Sequence, residues 1–314
     1  MTSSYKHISI EERYQIHAYH KSGMSRSEIA KELCRHKSTI SRELKRNKGK
    51  RGYRPKQAHQ MFLGRQRTGN EQITEFGWHY IAYLIRSYWS PEQINGRLTI
   101  MGWGDVPSHE SIYKYIYEDK ASGGELHKFL RCKKVRKKRY GSCYERRGSI
   151  KHRHSIHERT VVADNRERIG DLEGDTIVGH NHTGYLLTLV DRKSRVTKIR
   201  PSGTKHAQII TELTLDALDS LPVNTITYDN GKEFAEHYHV SERLNIQTYF
   251  ADPYSSWQRG TNENTNGLIR QFFPKKMSFE KITRKQTDYV ENLLNNRPRK
   301  ILDYATPLEV QFRC

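Results

Sequence analysis

Three acidic residues have the local settings that metal-dependent chemistry on phosphodiesters requires. Asp175 lies in Leu-Glu-Gly-Asp-Thr-Ile-Val and Asp229 in Thr-Ile-Thr-Tyr-Asp-Asn-Gly, so both belong to β-branched runs typical of strands. Glu263 lies in a polar stretch after Gly260, a glycine that can precede a helix. Three carboxylates from two strands and one helix would form the all-oxygen site that Mg²⁺ prefers, with Mn²⁺ as the alternative ion. Two such ions can activate the attacking oxygen and stabilise the leaving oxygen of a phosphodiester.

The spacing of these residues carries more weight than any single carboxylate, because an isolated aspartate at a strand end is usually solvated or caps a turn. Between Asp229 and Glu263 lie 33 residues. Arg270 follows Glu263 by seven positions, which is two helical turns and therefore the same helix face. We expect Arg270 to hold the phosphate backbone of DNA whose scissile bond lies at the metal ions.

Four other acidic residues compete for the role of Asp175. Asp171 and Glu173 precede it on the predicted strand, but only Asp175 lies directly against Thr-Ile-Val. Asp191 is followed by two basic residues, so we expect it to form an ion pair or a turn. Asp252 precedes a proline, so we expect it to end a strand. We therefore predict that Asp175 is the first metal ligand.

These motifs resemble those of the DDE transposases of bacterial insertion sequences, in the family typified by insertion sequence thirty. Asp175, Asp229, Glu263 and Arg270 match the family's two aspartates, its glutamate and its basic residue seven positions later. Residues 253–266 also resemble the flexible loop and catalytic helix of retroviral integrases. The resemblance implies a ribonuclease H-like catalytic domain, two Mg²⁺ ions on the three acids, and a homo-oligomer that holds two DNA ends.

Composition points to the same kind of partner independently of the resemblance. The 314-residue chain has a formal net charge of +20, and such an excess indicates a polyanionic partner. No apolar run approaches the roughly 20 residues of a membrane span, and the first residues lack the apolar core of a signal peptide. We therefore expect a cytoplasmic, nucleoid-associated protein that binds double-stranded DNA and no membrane.

The cysteines do not indicate a disulfide framework or a zinc site. They are Cys34, Cys132, Cys143 and Cys314. A site built from Cys132, Cys143, His152 and His154 would fit no standard zinc-ligand spacing, and these residues lie in a basic run that is more simply a solvated segment.

The N-terminal segment, predicted as a domain over 1–50, has the pattern of a helix-turn-helix. Residues 8–47 show the periodicity of three short helices, with Ser-x-x-Glu capping boxes at Ser9 and Ser25, and Ser38 as the predicted cap of the third. The polar and basic residues left on the outer face of the third helix are Lys37, Ser38, Thr39, Ser41, Arg42, Lys45 and Arg46.

These outer residues are the predicted DNA contacts of the N-terminal domain. A recognition helix places its first turns in the major groove, where Arg42 can reach a guanine edge while Thr39 or Ser41 contacts bases or phosphates. The alternative is a three-helix bundle whose basic face is merely solvated. Two capping boxes, an apolar inner face and a basic outer face together favour DNA binding.

Residues 51–120 are predicted to form a second helical domain that is similar to a helix-turn-helix. Ser90 followed by proline is typical of a helix start. The alternation of Tyr113, Tyr115 and Tyr117 is also compatible with a strand. Residues 121–158 are predicted to be a basic linker that crosses DNA, because 12 lysines and arginines lie in residues 128–153 against one acid.

The catalytic core is predicted over 159–285 and a C-terminal helical segment over 286–314. Strands are predicted over 171–179, 185–191, 195–200, 225–229 and 246–250, with helices over 205–220 and 236–244. This order is that of an α/β ribonuclease H-like fold, and the closed sheet is inferred partly from the family resemblance. The chain as a whole is therefore predicted to be multidomain, with all-α helix-turn-helix modules before the α/β core.

The loop that precedes Glu263 carries two further predicted DNA contacts, Trp257 and Arg259. The tryptophan can stack on a DNA end or simply pin the loop, and the sequence favours neither.

Together these patterns predict an Mg²⁺-dependent DNA transposase. It would bind terminal inverted repeats and then cleave and transfer DNA strands. Two alternatives remain: a DNA-binding regulator with an inactive core, and a metal-dependent DNA nuclease that does not join strands.

Overall fold

The computed structural model describes residues 7–49, 52–67, 73–131, 150, 153–253 and 255–313. Backbone packing divides the chain into two compact units, Met1–Ile73 and Thr74–Cys314. Within the ranges just given, no helix is both long and apolar enough to cross a bilayer.

Three short helices open the first unit, as the sequence predicts. They are α1 (Ile10–Lys21), α2 (Arg26–Glu32) and α3 (Lys37–Arg46). Both predicted capping boxes are present, because the hydroxyls of Ser9 and Ser25 accept hydrogen bonds from the backbone N–H three residues later. Gly23 has a φ of +87°, which glycine adopts without strain, and it turns the chain out of α1.

The start of α3 differs from the prediction. His36, and not Ser38, is the N-cap, and its Nδ1 accepts a hydrogen bond from Ser38 N at 3.2 Å. Ser38 lies inside the first turn, with its hydroxyl 2.8 Å from the same ring nitrogen. Serine is a preferred N-cap and histidine is not, so residue preference placed the N-cap at Ser38, two residues after its observed position.

A hairpin and a fourth helix complete the first unit. They are β1 (Lys48–Gly49), β2 (Gly52–Tyr53) and α4 (Pro55–Arg67). The helix α4 packs against α1, and the guanidinium of Arg13 lies 4.6 Å from the ring centre of Phe62. The first unit therefore extends past the boundary predicted at residue 50, and the predicted 51–120 segment is divided between the two units.

The second unit begins with three helices that share an apolar core. They are α5 (Glu75–Arg86), α6 (Pro91–Ile100) and α7 (His109–Ala121). Ser90 forms a capping box and a proline occupies the first helical position, as predicted. Ile81, Ile94 and Ile112 are fully buried between the helices. The tyrosines at 113, 115 and 117 lie on α7, so the strand interpretation is wrong.

A five-stranded sheet forms the centre of the second unit. Its elements are α8 (Val161–Asp164), β3 (Asp171–Val178), β4 (Tyr185–Asp191), β5 (Thr197–Ser202), α9 (Ala207–Leu218), β6 (Thr225–Tyr228), α10 (His237–Leu244), β7 (Gln247–Phe250) and α11 (Gly260–Ile269). The strand order is β5-β4-β3-β6-β7. Strand β4 is antiparallel to both of its neighbours, β3 and β5, whereas β6 and β7 run parallel to β3. The predicted ribonuclease H-like α/β fold is confirmed.

The sheet carries an apolar core on each side. One side buries Leu187 and Leu189 against α9 and α10. The other buries Ile177, Leu186 and Ile199 against the end of α11 and against Val290 and Leu294 near the C-terminus. Both layers are needed because parallel strands such as β3 and β6 are normally covered on both faces.

The C-terminal helices belong to this unit. They are α12 (Arg284–Asn295) and α13 (Pro307–Phe312). Helix α12 packs on the edge strand β5, where Glu291 Oε2 accepts a hydrogen bond from Ile199 N at 3.0 Å. The predicted boundary at residue 286 therefore falls inside a helix that covers the sheet edge.

Most of the predicted basic linker lies outside the described residues, as do Cys132, Cys143 and His152. His154 is described, and its Nδ1 lies 3.0 Å from Glu158 Oε2.

Candidate active site

The register of two parallel strands brings Asp175 and Asp229 to the same level of the sheet. Glu173 on β3 pairs with Thr227 on β6. Asp175 lies two residues after the first of these and Asp229 two residues after the second. Because side chains alternate along a strand, both carboxylates leave the sheet on the face of that pair.

A single guanidinium lies between these two carboxylates. Arg259 Nη1 is 3.6 Å from Asp175 Oδ1, and Arg259 Nη2 is 3.6 Å from Asp229 Oδ2. Arg259 is 9% exposed, and its Nε is buried with no hydrogen-bond partner in the described part of the chain. In this structure the charge of Arg259 therefore faces the two aspartates, and its contact with DNA stays a prediction.

Asp175 is the more enclosed of the two aspartates. Burial raises its pKa and the negative charge of Asp229 adds to the rise, while Arg259 opposes both. Its Oδ1 accepts a hydrogen bond from Thr176 N at 2.9 Å, and its Oδ2 accepts one from Asn266 Nδ2 at 2.8 Å. The carboxylate is thus oriented by one strand and one helix.

Glu263 lies on α11, the helix that carries Asn266. Its side chain is exposed, and it forms no hydrogen bond or ion pair with any described residue. Among the residues that the structure describes, no three histidines, cysteines, aspartates or glutamates lie close enough to hold a metal ion. The structure therefore brings Asp175 and Asp229 together, and Glu263 remains a predicted ligand on the neighbouring helix.

A buried ion pair beneath the aspartates fixes the start of α11. Glu173 Oε2 accepts a hydrogen bond from Asn262 N at 3.0 Å, while its Oε1 accepts one from Arg192 Nε at 3.1 Å. Glu173 is fully buried, so it positions the helix and is not open to a ligand. The only sequence signal was its place two residues before Asp175, on the same face of β3.

The other competing acids are structural. Asp191 Oδ1 accepts hydrogen bonds from Lys193 N and Ser194 N at 2.9 and 2.6 Å, which confirms the predicted turn. Asp171 is buried and accepts hydrogen bonds from Arg168 and Thr225. Asp252 lies just after β7, as predicted.

Glu233 is a further carboxylate near the site, and the sequence did not single it out. Glu233 accepts hydrogen bonds from Thr176 Oγ1 at 2.7 Å and from Lys205 Nζ at 2.5 Å. A Cβ on Gly231 would lie 2.5 Å from Glu233 Oε2 and 2.8 Å from Asp229 Oδ1. Gly231 thus lets Glu233 and Asp229 approach each other, and the Asp-Asn-Gly sequence was the available signal.

Arg270 is held differently from the prediction. Its Nη2 donates to Val178 O at 2.8 Å, and its guanidinium lies 5.3 Å from the ring centre of Phe279. Burial lowers its pKa. These contacts tie the end of α11 to β3, and the DNA contact predicted for Arg270 stays a prediction.

The other predicted DNA contacts lie at the surface. Trp257 is 73% exposed. The cationic residues of α3 are exposed, and its small polar residues are partly exposed. The exposed cations are Lys37, Arg42, Lys45 and Arg46; the partly exposed residues are Ser38, Thr39 and Ser41.

The sequence is similar to known proteins over most of its length. Residues 4–47 match the family described as "Helix-turn-helix domain". The chain is 44% identical to the transposase for insertion sequence element IS4351 of Bacteroides fragilis, over 97% of this chain and 95% of that protein. It is 36% identical to transposase InsI for insertion sequence element IS30A of Escherichia coli (strain K12), over 97% and 83% respectively.

The chain belongs to the family of insertion-sequence transposases typified by insertion sequence thirty.

Among solved structures, the catalytic core domain of BIV integrase is similar to this transposase at a TM-score of 0.36 and 16% identity, covering 46% of this chain and 93% of that one.

Asp175 and Asp229 have the donor chemistry of a divalent-cation site, but in this structure Arg259 lies between them. Asp175 and Asp229 supply carboxylate oxygens, the donors that Mg²⁺ and Mn²⁺ prefer. The guanidinium of Arg259 already supplies positive charge between them, 3.6 Å from each. Glu263 does not complete this donor set in the observed conformation.

Proposed function

We propose that this transposase binds the terminal inverted repeats of its element and catalyses metal-dependent DNA cleavage and strand transfer with Asp175, Asp229 and Glu263. The observation that carries the proposal is the matched level of Asp175 and Asp229, which face one cation, Arg259, at 3.6 Å. Two carboxylates fixed around a positive charge form a site that is electrostatically prepared for a hard cation.

End recognition is assigned to α3. Its exposed cations are Lys37, Arg42, Lys45 and Arg46. The last three lie on the side of the helix away from the buried Ile40. Such a helix can enter the major groove with its first turns, while its last cations neutralise phosphates.

Hydrogen bonds hold the carboxylates of Asp175 and Asp229 in fixed orientations. Asn266 and Thr176 orient Asp175, and Gly231 N orients Asp229 through a 2.8 Å hydrogen bond. Asp175 and Asp229 would hold a divalent cation, which would lower the pKa of an attacking water and neutralise charge on the leaving oxygen. Because the site is already oriented, little rearrangement of Asp175 and Asp229 accompanies charge development.

Glu263 joins the site from α11 once Arg259 no longer occupies the space between the aspartates. Glu173 and Asn266 hold this helix beside β3, and Glu263 is carried on the same helix. In the first step water attacks the scissile phosphorus and the 3′-oxygen leaves as a hydroxyl. In the second step the freed 3′-hydroxyl attacks the phosphorus of another phosphodiester, whose own 3′-oxygen leaves as a hydroxyl.

The proposed partners are the two ends of the element and a target duplex. Since both ends must be joined to one target, we assign the active form to a homo-oligomer bound to DNA, with Mg²⁺ or Mn²⁺ as the ion.

The test is incubation of the purified protein with a labelled duplex that carries its element's terminal repeat, together with Mg²⁺, beside the Asp229→Ala variant. We expect nicks at the repeat boundary and joined products from the wild type alone. Nicks without joined products would favour the nuclease. Tight binding with no product in Mg²⁺ or Mn²⁺, on linear and supercoiled DNA, would favour the regulator.

A further inference from the structure

Four arginines of the second unit cluster: Arg131, Arg195, Arg297 and Arg299. No ion pair to any of them is present in the described ranges of the chain. Glu173 and Asp191 lie close enough to oppose the lowering of the pKa of Arg195, whereas no carboxylate acts in this way on Arg297 or Arg299. Burial, followed by repulsion from the other three arginines, lowers the pKa of Arg299 to about 9. Burial and repulsion from Arg131 lower that of Arg297 to about 10.

Neutral oxygen atoms satisfy only part of the hydrogen-bonding capacity of the two buried guanidiniums. Arg297, 2% exposed, donates to Gln93 Oε1 at 2.9 Å and to Gln271 Oε1 at 3.1 Å. Arg299, 8% exposed, donates to Leu294 O at 3.0 Å. Its Nε is buried and has no partner among the residues that the structure describes.

The cluster lies along the helix that carries Glu263. Gly267 follows Glu263 by one turn, and Gln271, which accepts from Arg297, lies two residues past the end of α11. A Cβ on Gly267 would lie 3.1 Å from Arg131 Nη2, so the glycine leaves room for that guanidinium against α11. Arg131 and Arg297 therefore lie toward the end of α11, beyond Glu263.

A fourth guanidinium lies at the start of the same helix. Arg195 Nη1 donates to Thr261 Oγ1 at 2.8 Å. Its Nε is buried and lacks a partner among the described residues. Both ends of α11 are therefore bordered by guanidiniums with unused donors.

Such an arrangement is unfavourable until an anion enters it. Like charges repel strongly where water is excluded, and a buried charge without a counter-ion is among the costlier features of a folded protein. A guanidinium offers a planar fork of N–H donors that matches the oxygen atoms of a phosphate.

We propose that Arg131, Arg297 and Arg299 bind a backbone phosphate of the DNA strand that lies along α11, next to the bond cut at the acidic site. This assignment deepens the proposed function and rests on it for the direction of the strand. Arg131, which is exposed, makes the first contact, and Arg299 supplies charge from beneath. Arg195 adds to the positive potential at the other end of the helix.

The first experiment replaces single phosphates of the terminal-repeat duplex by neutral methylphosphonates, one position at a time beside the cleavage site. Binding is measured without divalent cations for wild type, Arg131→Gln and Lys300→Gln, so the result does not depend on catalysis. Lys300 is the matched control because it is exposed and its charge is already paired with Glu92 at 2.7 Å.

We expect Arg131→Gln to weaken binding about tenfold, the value of one charge-assisted hydrogen bond. It should also reduce the salt dependence by about one released counterion. One methylphosphonate position should weaken wild-type binding and have no further effect in Arg131→Gln. Identical profiles for wild type and Arg131→Gln, or equal losses in Arg131→Gln and Lys300→Gln, would overturn the proposal.

A second variant separates binding from folding. Arg299→Met removes the buried charge and keeps the side-chain volume. We expect the free protein to melt at the same or a higher temperature, and DNA binding to weaken about tenfold. A lower melting temperature with unchanged DNA affinity would mean that Arg299 only supports the fold.

The two proposals can fail separately. Inorganic phosphate should stabilise the wild type against heat more than Arg299→Met, whether or not the acidic site cuts DNA. Equal stabilisation of both proteins and unchanged DNA affinity would contradict the phosphate site but not the acidic site. If Asp229→Ala cleaved DNA as well as the wild type does, the acidic site would be contradicted but not the phosphate site.

Discussion

The first unit and the catalytic unit differ in their buried arginines, because the catalytic unit contains arginines without a carboxylate partner beside paired ones such as Arg192. In the first unit, buried Arg13 donates to Glu43 Oε1 at 2.9 Å and to Ile8 O at 2.6 Å, and the unpaired cations stand on the surface of α3. In the catalytic unit, Arg297 and Arg299 are buried with only neutral acceptors. Arg13 is neutralised by a carboxylate of its own unit. Arg297 and Arg299 have no carboxylate partner among the described residues, so an anion can neutralise their charge.

Exposed cations and buried guanidiniums suit different tasks in DNA binding. Exposed cations such as those of α3 accelerate and orient the encounter with DNA, and salt screens them. Buried donors bind only an anion that fits between them, so they can fix the position of one phosphate. Four substitutions test whether paired, exposed and active-site charges have these separate roles.

The largest effect is expected at the acidic site. Asp175→Asn keeps the shape of the side chain but removes its charge, and we expect strand cleavage to fall roughly a thousandfold, since metal-assisted charge stabilisation contributes several kcal/mol. End binding, which is assigned to α3, should remain within twofold. Product formation and a gel-shift titration on the same duplex measure both. Equal loss of binding and cleavage would mean that the two units do not divide the tasks.

Breaking the internal pair of the first unit should come next. Glu43→Ala leaves Arg13 buried without its carboxylate, and we expect a loss of about 3–5 kcal/mol of stability in that unit. Denaturant unfolding followed by circular dichroism measures it, with Glu32→Ala, at an exposed position of α2, as control. A loss below about 1 kcal/mol would contradict the claim that the interior of this unit depends on paired charge.

Removing one exposed cation should affect recognition and not stability. Arg42→Ala is expected to weaken binding to the terminal repeat by about 1–3 kcal/mol, the range of a good base contact, with no change in melting temperature. Competition between the terminal repeat and an unrelated duplex checks this. If binding to both duplexes falls equally, Arg42 contacts phosphate and not a base edge.

The smallest effect is expected at a paired surface charge of the catalytic unit. Partial burial acts to raise the pKa of Glu309, but hydrogen bonds from Arg97 and Thr306 N outweigh it, and the pKa lies below its usual value. A lowered carboxyl pKa stabilises the fold above the unfolded-state pKa, and this stabilisation is lost as the pH falls through the folded-state pKa. Glu309→Gln should therefore reduce stability by roughly 1 kcal/mol at pH 7.

The same measurement at low pH supplies the control for Glu309→Gln. Once Glu309 is protonated in the wild type, the two proteins should melt at nearly the same temperature. A difference that persists below pH 3 would assign the loss to packing and not to charge.

The fold was largely predictable because its strands are short, β-branched and separated by turn residues. The structure puts β4 at residues 185–191 as predicted and ends β6 one residue earlier. The strand β5 begins two residues later than predicted, because Asp191 caps a turn in which Arg195 has a φ of +66°. Local pattern does not reveal a turn that depends on a buried side chain.

The sequence could predict that Asp175 and Asp229 lie together but not the contacts around them. Their β-branched settings indicated strands, and the register of those strands brings the two residues together. The partners of Arg259 and Arg270 could not be predicted, since each guanidinium reaches a strand more than 80 residues away along the chain. A basic residue in a polar loop gives no sequence signal that distinguishes a free cation from a counter-ion.

The pairing of β3 with β6 has a practical consequence for labelling the molecule. The register, and not the number of residues between them, sets the gap between Asp175 and Asp229, so the 53 intervening residues need not be constant in length. The exposed Gly203 lies in this interval, and a Cβ there would meet no atom within 4 Å. A small fluorescent tag inserted at Gly203 should leave both carboxylates in register, which would let single molecules be followed on DNA.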